Sequence, residues 1–133
     1  MADIRIVGSK FMKISSERDP DFSGKLSMKT NIKIKDISRI KEVKDTLKIS
    51  YEFEVDYGEL GGVEIEGAIF VSSSPKTMKI LQKLWKDKKF EGPEHIQIMN
   101  IIIQKASIRA FELEEELGLP IHIRLPMLSP KKE

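Results

Sequence analysis

The sequence predicts an α+β fold, a four-stranded antiparallel β-sheet followed by two helices packed on one face, in a chain that is oligomeric. Three observations carry this expectation. Apolar and polar residues alternate through most of residues 4 to 71, as half-buried strands require. From residue 75 to 117 the period changes to that of helices. The longer helix contains IQIMNIIIQKASIRAF, residues 96 to 111, which is apolar nearly all the way round, so one face lacks cover in its own chain. A run of strands followed by a run of helices gathers the helices on one side of an antiparallel sheet.

Length and composition set the frame. The 133 residues, 40% hydrophobic and 33% charged, read as one domain over 1–133, long enough to bury a core. There is no cysteine, which excludes disulfides, thiolate catalysis and thiolate metal sites. No apolar run approaches the roughly 20 residues of a membrane-spanning helix, and MADIRIVGSK opens no secretory segment. A cytoplasmic location without membrane insertion is expected. A net charge of +2 is too small to imply nucleic acid.

The first strand, Ile4 to Ile14, changes facing after Ile6, and Gly8 marks a bulge there. SSERDPDFSGK, residues 15–25, is a surface loop of turn-forming residues that nevertheless carries Phe22. In the second strand Leu26, Met28, Thr30, Ile32 and Ile34 alternate with Ser27, Lys29, Asn31, Lys33 and Lys35. In the third, Leu47, Ile49, Tyr51, Phe53, Val55 and Tyr57 alternate with Lys48, Ser50, Glu52, Glu54 and Asp56. Paired antiparallel through a turn near Lys41, these two strands set lysines beside acids, at about 0.2–1 kcal/mol per pair. A solvated face without specific pairs is the alternative. GELGG, residues 58–62, turns the chain into VEIEGAIFV, which becomes apolar on both sides from Gly67 to Val71, as if covered twice.

Ser74 caps the first helix and Pro75 takes its first position. This helix, ending about Lys89, sets Met78, Leu81 and Trp85 on one stripe; its lysines read as a solvated face rather than a nucleic-acid patch, for want of interleaved aromatics. The second helix starts at Gly92-Pro93, closes at Gly118 with Pro120 beyond, and is about 37 Å long at 1.5 Å per residue. One stripe runs through Ile96, Met99, Ile103, Ala106, Ala110, Leu113 and Leu117, and can lie on the sheet. A second runs through Ile98, Ile101, Ile102 and Ile108, with Phe111 between. Burying an isoleucine is worth roughly 1.5–3 kcal/mol, so the surplus marks an interface. The expected oligomer interface is Ile98, Ile101, Ile102, Ala106, Ile108 and Phe111, with Ala106, Ser107 and Ala110 small enough for close approach. Cover by the first helix alone is the alternative. The acidic run Glu112, Glu114, Glu115 and Glu116 opposes the helix dipole and reads as solvated; in a helical hairpin, Lys76 or Lys79 would offset the cost.

Catalytic constellations are absent from this reading. His95 and His122 fall at opposite ends of the second helix, away from metal-ligand spacing. His122 alternates with Ile121 and Ile123 and should face water. No phosphate-binding glycine motif or nucleophile elbow occurs. The expectation is no enzyme, no cofactor and no metal.

Two motifs and a loop resemble the SecB family of export chaperones. EGAIF, residues 66–70, is similar to the family's pattern on its last long strand. LGLPIHIRLP, residues 117–126, matches a glycine closing the long helix and two following prolines, here Gly118, Pro120 and Pro126. The loop with Phe22 also fits, and the likeness spans Ile4 to about Leu128. It implies a dimer of dimers without a catalytic site, holding unfolded polypeptides in apolar grooves without ATP, for export or, in some relatives, to protect an antitoxin. By position, the resemblance implies Phe22, Leu26, Tyr57, Leu60, Leu125 and Met127 as client contacts, the last two on an extended tail, 118–133. Core or edge packing is the alternative for Leu26 and Tyr57. Family members are strongly acidic and meet the export motor through an acidic patch on the last long strand. This chain is slightly basic, has Val63 four places before Gly67 with Glu64 and Glu66 nearby, and ends in SPKKE. The motor is therefore left open as a partner. The runner-up is an oligomeric adaptor for one partner such as an antitoxin. A hotdog-like enzyme fold would set its helix before most of the strands, not after them.

Overall fold

β-Branched and aromatic residues at alternate positions pack well on a pleated, half-buried surface, and they make the strands here. In the computed structural model, which describes residues 4–88 and 92–122, these are β1 (Arg5–Arg18), β2 (Lys29–Arg39), β3 (Thr46–Asp56) and β4 (Gly61–Ser72). The helices α1 (Pro75–Lys86) and α2 (Pro93–Leu117) follow. Neighbouring strands are antiparallel, in the order β1-β4-β3-β2. This is the α+β architecture expected from the sequence.

The core grows from the two central strands. Leu47, Ile49, Tyr51, Phe53 and Val55 of β3 stand opposite Val71, Ile69, Gly67, Ile65 and Val63 of β4, and all are buried. Met78 and Leu81 of α1 join the same cluster, as do Ile98, Ile102, Ala106, Ala110 and Leu113 of α2. The longer helix runs over β4, β1 and β3, whereas α1 sits over β2. They divide the sheet face between them instead of stacking as the hairpin considered above. Glu112 accordingly pairs with Arg109 of its own helix, at 3.4 Å.

Strand boundaries depart from the expectation where pairing overrides local preference. Residues Ser15 to Arg18, expected in the loop, pair with Glu64 to Gly61, so β1 runs on and the loop starts at Asp19. The register of β1 shifts at Val7, next to the glycine that signalled it, and again at Met12, which no sequence feature announced. Leu26 and Met28 precede β2, and that strand passes a shift at Lys35 to reach Arg39, which brings Ile37 into the core. Lysines and acids do face one another: Lys29 opposes Asp56 and Lys33 opposes Glu52. Lys35 reaches further, to Glu52 at 3.5 Å and across β3 to Glu66 at 3.0 Å. On this outer face Ala68 is buried and Phe70 half-buried, so the apolar end of β4 is partly covered on both sides.

The helix ends follow their local signals. Ser74 Oγ accepts from Thr77 N–H at 3.3 Å, and Pro75 opens α1. Gly118 closes α2 at φ +67°, a left-handed conformation that disfavours any residue with a Cβ.

Candidate functional site

The predicted oligomer surface on α2 is largely turned inward. Ile98, Ile102 and Ala106 are fully buried in the core of their own chain, Ile101 is half-buried against it, and Phe111 is half-buried. Ile108 is 64% exposed. Ser107 and Ala110 are buried as well, so these small residues set the helix down on the sheet rather than on a second helix. Conversely Ile96 and Ile103, assigned to the sheet-facing stripe, are exposed. The two stripes lie within one turn of each other. The rotation of the helix, set by its fit to the sheet, brings Ile98 and Ile102 of the second stripe into the core beside Ala106, Ala110 and Leu113 of the first and leaves Ile96 and Ile103 outside.

The predicted client contacts separate in the same way. Leu26 is 50% exposed, and Phe22 is half-buried against the core. Tyr57 and Leu60 are buried, which corrects the expectation that they line an open groove. Leu125 and Met127 lie outside the described residues.

Tyr57 is instead part of a polar cluster that the sequence reading missed. Just past β3, its hydroxyl donates to Glu114 Oε2 and lies within hydrogen-bonding reach of the Pro120 carbonyl. Glu114 is completely buried, not solvated with its acidic neighbours. His122, expected to face water, has a buried side chain with Nδ1 2.8 Å from Glu114 Oε1. A carboxylate oxygen only accepts, so Nδ1 carries the proton in that bond. The backbone N–H of His122 donates to the same oxygen at 3.3 Å. Buried carboxylates are costly unless their oxygens find donors, and Glu114 has three. Burial, then the hydrogen bond to Glu114 and its charge, push the Tyr57 phenol well above its usual range. Arg18 of β1 donates from Nη1 to the Gly118 carbonyl, tying the same segment to the sheet. A signal for Glu114 did exist: it falls four residues after Ala110 and three before Leu117, both on the sheet-facing stripe. Ile121 and His122 lie in no strand.

Exposed apolar surface concentrates elsewhere, on β1. Ile6, Val7, Phe11, Met12 and Ile14 are between 37% and 59% exposed. Among the described residues β1 pairs with β4 alone, which leaves its other edge as a row of backbone groups able to accept another strand. Beside the start of β1 a groove of about 540 Å³ opens against α2, between Ile4, Ile6, Gln97 and Ile101. Gln97 Nε2 bridges it with a hydrogen bond to the Ile4 carbonyl at 3.3 Å. No helix among the described residues is long and apolar enough to cross a membrane.

No family model and no curated protein sequence matches the chain. A solved structure does: the Mycobacterium tuberculosis SecB-like chaperone Rv1957 in complex with a ChAD peptide from the HigA1 antitoxin. The TM-score is 0.55 at 12% identity, over 95% of this chain and 88% of that one. At that identity the likeness is one of fold, and it covers the sheet and both helices together.

Proposed function

We propose that this protein is an ATP-independent holdase that binds unfolded or non-native polypeptides through exposed apolar surface, and that it works as a homo-oligomer. The supporting observation is β1, which among the described residues is an edge strand paired on one side only, with large apolar residues on both faces. Such an edge takes up an extended chain by backbone pairing, which is indifferent to sequence, while apolar side chains supply affinity. The flexible Met12 suits a surface that must accept many clients. Likeness of fold to a SecB-like chaperone holding a peptide points the same way.

The reading involves no catalytic step, cofactor or metal. Self-association, toward a dimer of dimers, would draw on the same β1 strip together with Ile108, now that Ile98, Ile102 and Ala106 are accounted for within the chain. Equimolar protein without ATP is expected to suppress aggregation of a refolding model protein, and light scattering to give a multiple of 15.2 kDa. A stable 15.2 kDa species that leaves aggregation untouched would sink the proposal.

The antitoxin peptide in the mycobacterial neighbour favours a narrower second reading, an adaptor for one partner. Titration with several unrelated unfolded proteins separates the two, since a holdase binds most of them and an adaptor none or one.

A further inference from the structure

We propose that Gly118–His122 is a strap that masks an apolar polypeptide-binding surface at the end of the sheet, held shut by a polar clasp of Arg18, Tyr57 and Glu114. Residues Leu119 to His122 belong to no helix or strand. Their anchors are few and converge on three side chains. Tyr57 reaches the Pro120 carbonyl, Glu114 Oε1 takes both the backbone and the ring N–H of His122, and Arg18 holds the Gly118 carbonyl. The two backbone bonds found among the described residues, Gly118 N–H to the Glu115 carbonyl at 3.4 Å and Leu119 N–H to the Glu114 carbonyl at 2.8 Å, belong to the helix cap.

Beneath the strap lie aromatic rings. His122 meets Phe53 edge-on, with ring centroids 5.5 Å apart, and Leu119 is buried. Lifting the strap would uncover Phe53 and Tyr57, aromatic area of the kind that binds extended polypeptide. This explains why Tyr57, placed among client contacts by resemblance, is buried in the closed chain.

The closed state also carries a cost. His122 Nε2 is buried and finds no hydrogen-bond partner among the described residues. Water would satisfy that atom once the strap lifts, so the unpaired nitrogen biases the segment toward opening. Anchoring by side chains, unlike a strand ladder, lets such a segment open locally while the sheet stays intact.

The masking role extends the polypeptide-binding reading, but its test needs no client. The chain lacks cysteine, so Leu119→Cys reports strap opening by its rate of reaction with a thiol reagent, and Ser107→Cys, buried on α2, reports opening of the core. Adding Tyr57→Phe, which keeps the ring and removes only the donor, is expected to speed labelling at position 119 about tenfold, keep labelling there well ahead of labelling at position 107, and raise binding of an anilinonaphthalene sulfonate dye. Glu114→Gln serves as the second clasp variant and is expected to act in the same direction. Unchanged labelling at 119, equal rates of labelling at both positions, or faster labelling without added dye binding would each overturn the proposal. Failure of the aggregation assay, by contrast, would remove the holdase reading and leave the strap standing.

Discussion

Tyr51 of β3 stands across the ladder from Gly67 of β4, so close that a Cβ at residue 67 would lie 2.7 Å from the Tyr51 hydroxyl. The same Cβ would lie 2.8 Å from the backbone carbonyl of Lys10 on β1, which cannot turn aside as a side chain can. The glycine in EGAIF therefore makes room for a tyrosine ring laid over the middle of the sheet. Gly67→Ala is expected to destabilise the fold by about 1–3 kcal/mol through overpacking, read as a lower urea midpoint.

The Tyr51 hydroxyl is buried without a hydrogen-bond partner among the described residues, and burial pushes its phenol up to about 12. Tyr57 is raised further, by burial and by Glu114. In the unfolded chain a phenol ionises near 10. The unfolded state thus releases these protons first, so stability is whole below pH of about 10 and falls as pH rises above it. Each tyrosine is expected to contribute a slope of about 1.4 kcal/mol per pH unit, and for Tyr51 the loss is complete near 12. Denaturant melts between about pH 8 and 11 should show the fall. Tyr51→Phe should remove one share of it and cost nothing at neutral pH, because the lost hydroxyl was unsatisfied.

Glu114 is the centre of its cluster, so truncating it strands more than one partner. Glu114→Ala leaves both His122 N–H groups to find new acceptors, at about 1–3 kcal/mol for each one left buried and unpaired, and leaves the Tyr57 hydroxyl only the Pro120 carbonyl. Tyr57→Phe removes a single donor and should cost less. The ranking, measured by thermal or urea unfolding, checks that the carboxylate is the hub; equal losses would contradict it.

Exposed and buried apolar residues should respond in opposite ways. Met12→Lys, at an exposed position on β1, is expected to change stability by no more than about 0.5 kcal/mol while reducing the mass seen by light scattering or the suppression of aggregation. Ile102→Ala, in the chain's own core, should instead cost about 2–5 kcal/mol of stability. A dissociated yet equally stable Ile102→Ala protein would restore that residue to an intersubunit role.

Much of this was legible in the linear chain because the governing forces are local. Alternation at Leu47 to Val55 specified a strand, and Ser74-Pro75 and Gly118 specified helix ends through hydrogen bonds and dihedral preferences a few residues long. The opposition of lysines and acids between β2 and β3 followed from the same alternation once the strands were taken to pair. Apolar surplus was legible too, as a quantity. Its address was not.

The sequence by itself therefore determined the kinds of element, their order and their caps, and through them the α+β class. The tertiary structure alone decided that Ile98, Ile102 and Ala106 face the sheet, that Met12 and Phe11 stay outside, and that Glu114 and His122 meet Tyr57 in the interior. The physical reason is that periodicity states only that a helix has an apolar side. How far the helix is rotated, which strand lies at the edge, and which distant polar groups converge depend on packing between residues far apart in the chain.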